Sequence, residues 1–320
     1  GGTILPDARP LPVHIQELKA EGITAAGVGA SDAPGYYDTS VFMTGSVAIG
    51  IILPESGGGG ENWTTIEKNT VVQEIKDGMS WWATKGGTLA NLNFQYDVQA
   101  GIPTSYEPIT LSTSSEGSWI GETLSNLGYS SGDYFERVYA YTNHIRDQYN
   151  TDWAFAIFVV DSSNDVDGKF SDGYFAYAYL SGPFMIMTYD NDGWGISNMN
   201  MVATHETGHI FLAGDQYYQA GYGGCTSLTE KYGYLGSENS NCEYNNPSSV
   251  PSIMRHNEDA IDTTARGQIG WRDSDSDGKP DPMDTIPVVS LTTHAPDPTS
   301  ETYWSYSGIA EIPPYTHVVC

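Results

Sequence analysis

The sequence predicts an α/β (α+β) domain built on a twisted, mostly parallel sheet that has an antiparallel edge strand. Segments with strand-like apolar patterns alternate along the chain with segments of helical periodicity, an order typical of parallel sheets covered by helices. Residues 46–53 and 153–160 are almost entirely apolar, as expected for strands buried on both faces. A chain of 320 residues is long enough for one large or two ordinary domains, each with its own core.

The remaining elements are predicted from local patterns. Ile75, Met79 and Trp82 recur at helical spacing and predict a helix over 65–84. Alternating polar and apolar residues predict a strand over 91–98. Further predicted elements are helices at 118–127 and 133–149, strands at 174–180 and 184–189, and a helix that begins near Ser197.

Shifts in composition divide the chain into four segments. Residues 1–44 are rich in Pro, Gly and Asp without a sustained period, and we predict an extended N-terminal lead-in. Residues 45–272 form the main domain, and an acidic loop follows over 273–284. Residues 285–320 are predicted to be a β-rich tail or the start of an appended domain, with a strand at 286–291.

The formal net charge is −27, from 40 acidic and 13 basic residues. Such a surface repels nucleic acid and anionic membranes, so neither is an expected partner. No apolar run is long enough to span a bilayer. Clustered carboxylates are also typical of cation sites. We expect a monomer.

The chain has three cysteines. Cys225 and Cys242 bracket a loop rich in Gly, Ser and Asn, and we predict that they form a disulfide, with Cys320 left over. Disulfides persist in oxidising compartments. The pairing therefore predicts a secreted, extracellular or cell-surface location.

His205-Glu206-Thr207-Gly208-His209 is an HExxH motif near the end of an apolar helical segment. Two histidines four residues apart lie on one face of a helix, where both imidazoles reach one metal ion. Glu206 then lies beside the same metal, where a carboxylate takes a proton from bound water. The motif predicts a zinc-dependent hydrolase with His205 and His209 as ligands and Glu206 as the catalytic base.

A catalytic zinc usually keeps three protein ligands and leaves one position for water. Gly214 follows the motif and is suited to end the helix in a left-handed conformation that turns the chain back. That turn would bring Asp215 to the metal as the third ligand. The alternative is an aspartate that only follows the end of the helix.

With these residues the chain resembles the metzincin-type zinc peptidases, particularly the immune-inhibitor-A-like group, whose pattern is HExxHxxGxxD. His205, Glu206, His209 and Asp215 stand at matching positions, while Leu212 stands where the pattern has Gly. The resemblance implies a metzincin-like catalytic domain with a C-terminal subdomain and a catalytic Zn2+. An open strand edge beside the metal would hold a protein or peptide substrate in extended form.

The same resemblance implies a Met-turn, a methionine in a tight turn beneath the zinc. Met254, at the end of a Ser-Ile-Met tripeptide, is the candidate, and a core methionine is the alternative. Residues 257–262 are similar to the NExxxD helix of the thermolysin-like peptidases. In that alternative Glu258 is the third zinc ligand and Asp215 is structural.

Either ligand set predicts the same chemistry. Water bound to zinc has a lowered pKa, and Glu206 removes its proton during attack on a carbonyl carbon and passes it to the leaving nitrogen. Candidate donors to the oxyanion are Tyr217 and His256. The expected function is a secreted zinc endopeptidase. The alternative from another class is a calcium-stabilised, non-catalytic surface or binding module whose zinc site is structural.

The segment 273–284 matches a calcium-binding loop, with Asp at positions 1, 3, 5, 9 and 12 and Gly at position 6. Asp replaces the usual bidentate Glu at position 12, and a solvated acidic linker is the alternative. The predicted Ca2+ ligands are Asp273, Asp275, Asp277, Lys279 (through its carbonyl), Asp281 and Asp284. Two looser groups, either calcium sites or ordinary turns, are Asp161, Asp165, Asp167 and Asp172, and then Asp190 and Asp192.

Overall fold

The structure is a computed structural model that describes residues 7–25, 34–57, 60–218, 225–284, 288–289 and 310–311. Among the helices in these ranges, none is long and apolar enough to cross a membrane. Cys320 and most of the predicted strand 286–291 lie outside the described residues. The described part of the tail is one antiparallel pair of short strands, 288–289 with 310–311.

Strands and helices alternate along the chain. The strands are Ala8–Arg9 (β1), Ser46–Ser56 (β2), Asn93–Thr104 (β3), Trp153–Val160 (β4), Ala176–Tyr179 (β5), Phe184–Thr188 (β6), Lys231–Tyr232 (β7), Ser237–Glu238 (β8), Val288–Val289 (β9) and Ala310–Glu311 (β10). The α-helices are Val13–Ala25 (α1), Thr65–Ala90 (α2), Glu116–Asn126 (α3), Tyr134–Tyr149 (α4), Met199–Ile210 (α5), Ile253–His256 (α6) and Thr263–Gln268 (α7). Helix α2 ends six residues beyond the predicted 65–84, where Asn91 takes a left-handed conformation with φ 47°.

Six strands form one sheet in the order β1-β5-β6-β4-β2-β3. The pair β5–β6 is antiparallel and the other neighbouring pairs are parallel. The prediction of an α/β fold with a mostly parallel sheet is therefore confirmed, and the sheet contains one antiparallel pair. The antiparallel edge strand was predicted among the strands after the acidic segment 161–172, but neither β5 nor β6 lies at the edge, because β1 pairs with the outer side of β5.

The core has two layers, one on each face of the sheet. Strand β4 is buried along its whole length and supplies both layers. Phe155 and Ile157 join the cluster that includes α2 and α5, whereas Phe158 and Val160 join the cluster that includes α3 and α4. This explains the continuous apolar run, because alternate side chains of a strand point to opposite faces.

Helix α5 is held against α2 by close backbone packing. A Cβ at Gly78 of α2 would lie 2.7 Å from the carbonyl oxygen of Asn200, so the missing side chain permits this approach. The indole of Trp82 is fully buried and donates to the carbonyl oxygen of Thr204 at 3.0 Å. The position of the motif helix is therefore fixed by the core and does not depend on a surface loop.

The prediction that residues 1–44 form an extended lead-in is wrong in part, because β1 and α1 lie within them. Leu11 and Ile15 are buried in the layer that contains α3 and α4. A two-residue strand is too short to show a period, and helices in proteins are stabilised mainly by tertiary packing. Local sequence therefore carries little signal for either element.

Candidate metal centre

Helix α5 brings the HExxH residues together in the protein interior. His205, Glu206 and His209 are at most 3 % exposed. The Nε2 atoms of the two histidines are 3.1 Å apart. The four-residue spacing thus places both imidazoles on one face of the helix, as expected for a pair that binds one ion.

Hydrogen bonds fix the orientation of both imidazoles. The Nδ1 atom of His205 lies 2.7 Å from the carbonyl oxygen of Ile253, and that of His209 lies 2.8 Å from the carbonyl oxygen of Ala213. A carbonyl oxygen only accepts, so each Nδ1 carries a proton and donates it. A neutral imidazole with its proton on Nδ1 has a free lone pair on Nε2, the arrangement that metal-binding histidines adopt.

Asp215 supplies a carboxylate at the same point. Its Oδ1 is 3.2 Å from Nε2 of His205 and 3.3 Å from Nε2 of His209. The side chain is fully buried, and its Oδ2 has no hydrogen-bond partner among the described residues. A buried carboxylate oxygen without a partner is costly unless a cation binds there.

The turn that delivers Asp215 differs from the prediction. Leu212, and not Gly214, takes the left-handed conformation, with φ 72°. The turn is closed by bonds from the Ala213 N–H to the Gly208 carbonyl and from the Leu212 N–H to the His209 carbonyl, both 2.9 Å. Leu212 therefore takes the conformation that a glycine adopts more easily, at the place where the metzincin pattern has Gly.

A fourth residue, Asp7, completes the group. Its Oδ2 is 3.4 Å from Nε2 of His205, its Oδ1 is 3.5 Å from Nε2 of His209, and Oδ1 accepts a hydrogen bond of 2.9 Å from the Tyr217 hydroxyl. Ligand atoms of the four acidic and histidine residues all lie within 4.8 Å of one another. Sequence analysis missed Asp7, because no local motif marks it and it lies about 200 residues before the HExxH helix.

The donor set fits a tetrahedral zinc ion. A tetrahedron with metal–ligand bonds of about 2.0–2.1 Å has edges of about 3.3–3.4 Å. The distances between donor atoms run from 3.1 Å for the two histidines to 3.5 Å for His209 and Asp7, and each oxygen of the Asp7 carboxylate lies near a different histidine. Two imidazoles with carboxylates are also donors that zinc accepts.

Electrostatics in the site favour a positive charge at its centre. Burial alone would lower the pKa of His209, but the carboxylates of Asp215 and Asp7 raise this pKa to about 10. The pKa of His205 is also raised, again because these two carboxylates outweigh burial. A divalent cation bound between the Nε2 atoms would satisfy the carboxylates in place of those protons.

Glu206 has the environment of a proton acceptor. Its side chain is 1 % exposed, and Oε2 has no hydrogen-bond partner among the described residues. Burial, followed by the negative charge of Asp7, raises the pKa of Glu206 well above its ordinary value. A carboxylate with a raised pKa is a stronger base, and it is better matched to proton transfer near neutral pH.

Met254 packs against the HExxH helix at Gly208, between the two histidines. It is fully buried, and a Cβ at Gly208, between the motif residues, would lie 3.0 Å from its Cε. The preceding residue, Ile253, supplies the carbonyl that orients His205. The Met254 carbonyl accepts from the Gln216 N–H at 2.8 Å, which ties this turn to the segment that carries Asp215.

Glu258 is not brought to the histidines. It forms hydrogen-bonded ion pairs with Arg255 at 2.7 and 2.8 Å and accepts from the Ser252 N–H at 3.0 Å. These contacts lower the pKa of Glu258, with the Arg255 bonds as the main cause. The thermolysin-like ligand set therefore has no support in the arrangement of these residues.

The two candidate oxyanion donors differ in position. The Tyr217 ring is 5 % exposed, and its hydroxyl reaches the Asp7 carboxylate. The His256 ring stacks on Tyr217 at 6.0 Å between centroids, and its Nε2 lies 2.9 Å from Oε1 of Glu243. Tyr217 is therefore the donor closer to the metal centre. Both residues line a cleft of about 640 Å³ that also includes His205 and Trp194.

The predicted calcium loop is partly assembled. Carboxylate oxygens of Asp273, Asp275 and Asp277 lie within 4.8 Å of one another. Asp281 instead accepts from the backbone N–H and hydroxyl of Ser274, each at 2.8 Å. Asp284 ends a short 3-10 turn that begins at Asp281. Three of the predicted carboxylates thus form one group, and the last two have other local contacts.

The looser acidic groups have local partners. Asp165 accepts from the backbone N–H of Gly168 at 2.9 Å, and Asp172 accepts from Ser112 and Thr113. Asp192 pairs with Lys169 at 2.6 Å. None of these aspartates belongs to a metal-binding group within the described part of the chain. Asp161 accepts from the backbone N–H of Ser163 at 3.0 Å through Oδ1, while its buried Oδ2 has no hydrogen-bond partner among the described residues.

The predicted disulfide is confirmed. Cys225 and Cys242 are bonded, with a Cα–Cα distance of 5.1 Å. The bond links the chain that follows the metal centre to the segment that leads to Met254.

No protein-family model matches this chain. A search of curated proteins finds no match either. The resemblance to metzincins consequently rests on the motif residues of the sequence alone.

Proposed function

We propose that this protein is a secreted zinc-dependent endopeptidase of the metzincin type, most similar to the immune-inhibitor-A-like group. The observation that carries the proposal is the convergence of two imidazoles and a buried carboxylate. Both Nδ1 atoms donate to backbone carbonyls, so both Nε2 lone pairs point to the place where Oδ1 of Asp215 lies 3.2–3.3 Å away. Such an arrangement is what a three-ligand catalytic zinc requires.

The residues have separate roles in peptide hydrolysis. His205, His209 and Asp215 would hold the zinc, which lowers the pKa of a bound water when present. Glu206, buried beside them with a raised pKa, takes the proton from the attacking water and gives it to the leaving nitrogen. The Tyr217 hydroxyl, which donates to Asp7 at 2.9 Å, would donate to the oxygen of the scissile carbonyl when that bond is released.

The substrate class follows from the shape of the site. An extended peptide pairs with the backbone groups of a strand edge. Strand β5, whose outer side pairs with β1 at Ala178 and Tyr179, runs beside the metal centre with Ala176 in the lining of the cleft. Packing of α5 on β5 brings the HExxH residues next to that strand. We therefore propose a protein or peptide substrate, bound along β5.

Zinc content and proteolysis test the proposal together. We expect one zinc per chain by elemental analysis and cleavage of casein that stops with a zinc chelator and returns with added zinc. The assay should include the full chain and its Asp7→Ala variant, because Asp7 lies at the metal position. If the Asp7→Ala variant binds zinc stoichiometrically but cleaves no protein substrate, the enzymatic function is contradicted.

One observation favours a second candidate function, a non-catalytic module with a structural metal site. Structural zinc sites are usually closed by four protein ligands, and Asp7 is a fourth candidate here. Glu206 argues for the enzyme, because a structural site has no use for a buried carboxylate that is not a ligand. The Asp7→Ala variant distinguishes the enzyme from the structural module, because loss of the fourth donor opens a metal position for water and substrate only in an enzyme.

We also propose that Asp273, Asp275 and Asp277 bind a structural Ca2+. Their carboxylates converge, and the backbone N–H groups of Asp277 and Gly278 donate to Asp273 at 3.2 and 3.0 Å, which holds the loop in shape. Without a cation, three crowded carboxylates repel one another.

Calcium is expected to raise the melting temperature of the zinc-loaded protein, and Asp275→Asn should abolish most of that rise. Binding to the folded state alone stabilises it by about 2.7 kcal/mol when free calcium is a hundredfold above its dissociation constant. Differential scanning calorimetry in a Glu206→Gln background avoids self-digestion. Asp259→Asn is the matched control, because Asp259 is exposed and pairs with Lys85 outside the loop. A wild-type melting temperature indifferent to calcium would show an acidic linker only.

A further inference from the structure

An acidic crevice lies outside both metal sites proposed above, at the carboxyl ends of β2 and β4. Strand β2 pairs with β3 on one side and with β4 on the other, and both pairs are parallel. The chain passes from β2 to β3 and then crosses back to place β4 on the opposite side of β2. Open α/β sheets bind ligands in the crevice that such a reversal creates. Two buried acids lie here, Glu61 after the end of β2 and Asp161 directly after β4.

Asp161 has a buried oxygen that the described protein groups do not satisfy. The residue is 5 % exposed, and its Oδ1 accepts from the Ser163 N–H at 3.0 Å. Its Oδ2 is buried and has no hydrogen-bond partner among the described residues. Such an oxygen is costly unless a proton or a cation neutralises it. The unpaired oxygen therefore indicates a ligand in the crevice.

Glu61 brings a second carboxylate to the same turn. It is 7 % exposed, and its Oε2 accepts from the Asn164 N–H at 3.0 Å and from the Asn164 side-chain amide at 3.2 Å. Since Ser163 and Asn164 are consecutive, their N–H groups hold the carboxylates of Asp161 and Glu61 next to each other. These bonds use one oxygen of each acid and leave Oδ2 of Asp161 for a further ligand.

Negative charge accumulates around Asp161. Burial is the main cause that raises the pKa of Asp161 to about 6; hydrogen bonds from Ser163 oppose the rise, and the charges of Glu61 and Glu67 add to it. At neutral pH most Asp161 side chains are still ionised, because the pH lies above this pKa. A charge is therefore buried beside another carboxylate, and a divalent cation would neutralise both acids together.

We propose that Asp161 and Glu61 bind a structural Ca2+ in this crevice. Both donors are carboxylates, and Ca2+ takes about six to eight oxygen ligands, so backbone carbonyls and waters would complete its coordination. The partner of Asp161 is thus Glu61 from a distant part of the chain, and not the aspartates of its own loop. The inference does not depend on peptidase activity, because neither acid belongs to the zinc centre.

The ion would connect two segments that lie near the zinc centre. Glu61 stands just before α2, the helix that packs on α5. Asp161 begins the loop 161–173, and Lys169 and Asp172 of that loop line the cleft. Bound Ca2+ would therefore fasten one wall of the cleft to the sheet and to the start of α2.

Terbium luminescence tests this site, because Tb3+ replaces Ca2+ and its emission is excited by a nearby indole. Trp63 is two residues from Glu61, and its ring lies 5.8 Å from that of Tyr189, which is bonded to the end of β4. The parent for the titration is the zinc-loaded full chain with Glu206→Gln and Asp275→Asn, which prevents self-digestion and empties the other proposed calcium site. We expect one Tb3+ per chain, with indole-excited emission that added Ca2+ abolishes by displacement.

Two variants each remove the charge of one donor and keep the turn intact. Asp161→Asn and Glu61→Gln retain an oxygen that accepts from the N–H groups of the turn, so both should fold. Each should weaken Tb3+ binding by at least about tenfold, because calcium affinity depends on the charge of the ligands. Asp259→Asn is the control and should bind Tb3+ as the parent does, because Asp259 is exposed and pairs with Lys85 elsewhere.

Trp63→Phe locates the ion. It should lower the indole-excited emission and leave the Tb3+ affinity, measured by calorimetry, unchanged. Undiminished emission in this variant would place the ion elsewhere and overturn the inference. Equal Tb3+ affinity in the parent, Asp161→Asn and Glu61→Gln would overturn it too, as would a parent that binds no Tb3+. The proposed zinc peptidase would stand in each of these cases, since zinc content and caseinolysis test it separately.

Discussion

Glu206→Gln is expected to lower the turnover of peptide substrates by roughly 10²–10⁴-fold, the usual contribution of a general base. Zinc content should not change, because Glu206 is not among the four donors that converge at the metal centre. Glutamine has the same shape and fits the buried space, but it cannot accept the proton of the attacking water. The measurement is kcat with a quenched fluorescent peptide, together with zinc per chain.

The best control for this variant is the same chemical change at Glu258. That residue pairs with Arg255 and lies outside the metal-binding group, so Glu258→Gln should keep both zinc and turnover. Both variants should be compared in the Asp7→Ala background, where closure of the site does not hide the effect. More than a tenth of parental turnover in the Glu206 variant would contradict its role as base. Loss of zinc from the Glu258 variant would instead support the thermolysin-like alternative.

The features that sequence analysis predicted are those with local causes. Strand β4 matches its predicted bounds, because burial on both faces requires a continuous apolar run. Helix α4 begins one residue after its predicted start, because Asp133 and Glu136 form a capping box at its N-terminus. The spacing of His205 and His209 follows from helix geometry alone. In each case the physical cause lies within about four residues of the signal.

The features that it missed depend on contacts between distant parts of the chain. Asp7 reaches the histidines only because β1 pairs with β5 and Arg9 binds Glu116. No periodicity in residues 1–44 indicates these pairings. The left-handed residue is Leu212 because the Ala213 and Leu212 amides close the turn onto α5. Gly214 correctly indicated that a turn follows the helix, but tertiary contacts determine that Leu212 takes the left-handed conformation.

The same distinction applies to the acidic loop. The spacing of Asp273, Asp275 and Asp277 predicts their convergence, since alternate residues of a tight loop point to one side. Asp281 and Asp284 stand at the expected positions in sequence, but Ser274 and a 3-10 turn engage them. Composition therefore identified the acidic segment, while the choice of partners depended on the fold around it.

Asp215→Asn should weaken zinc binding by about three orders of magnitude, equivalent to about 4 kcal/mol of binding free energy. Asparagine preserves the volume of this fully buried side chain, and the Asp215 backbone carbonyl keeps its bond of 2.7 Å from Asn239. The variant loses the negative charge whose oxygen lies 3.2 and 3.3 Å from the two Nε2 atoms. Competition with a chromophoric chelator measures the affinity.

The metal-free forms separate a ligand from a merely structural aspartate. Without zinc, burial and then the negative charge of Asp7 raise the pKa of Asp215 and disfavour its charged form, and its Oδ2 has no hydrogen-bond partner among the described residues. Metal-free Asp215→Asn should therefore unfold at or above the temperature of the metal-free parent. Only the zinc-induced rise should shrink, because the stabilisation by a bound ligand falls as its dissociation constant grows. A variant that is destabilised without metal yet binds zinc as tightly as the parent would show that Asp215 supports the turn and is not a ligand.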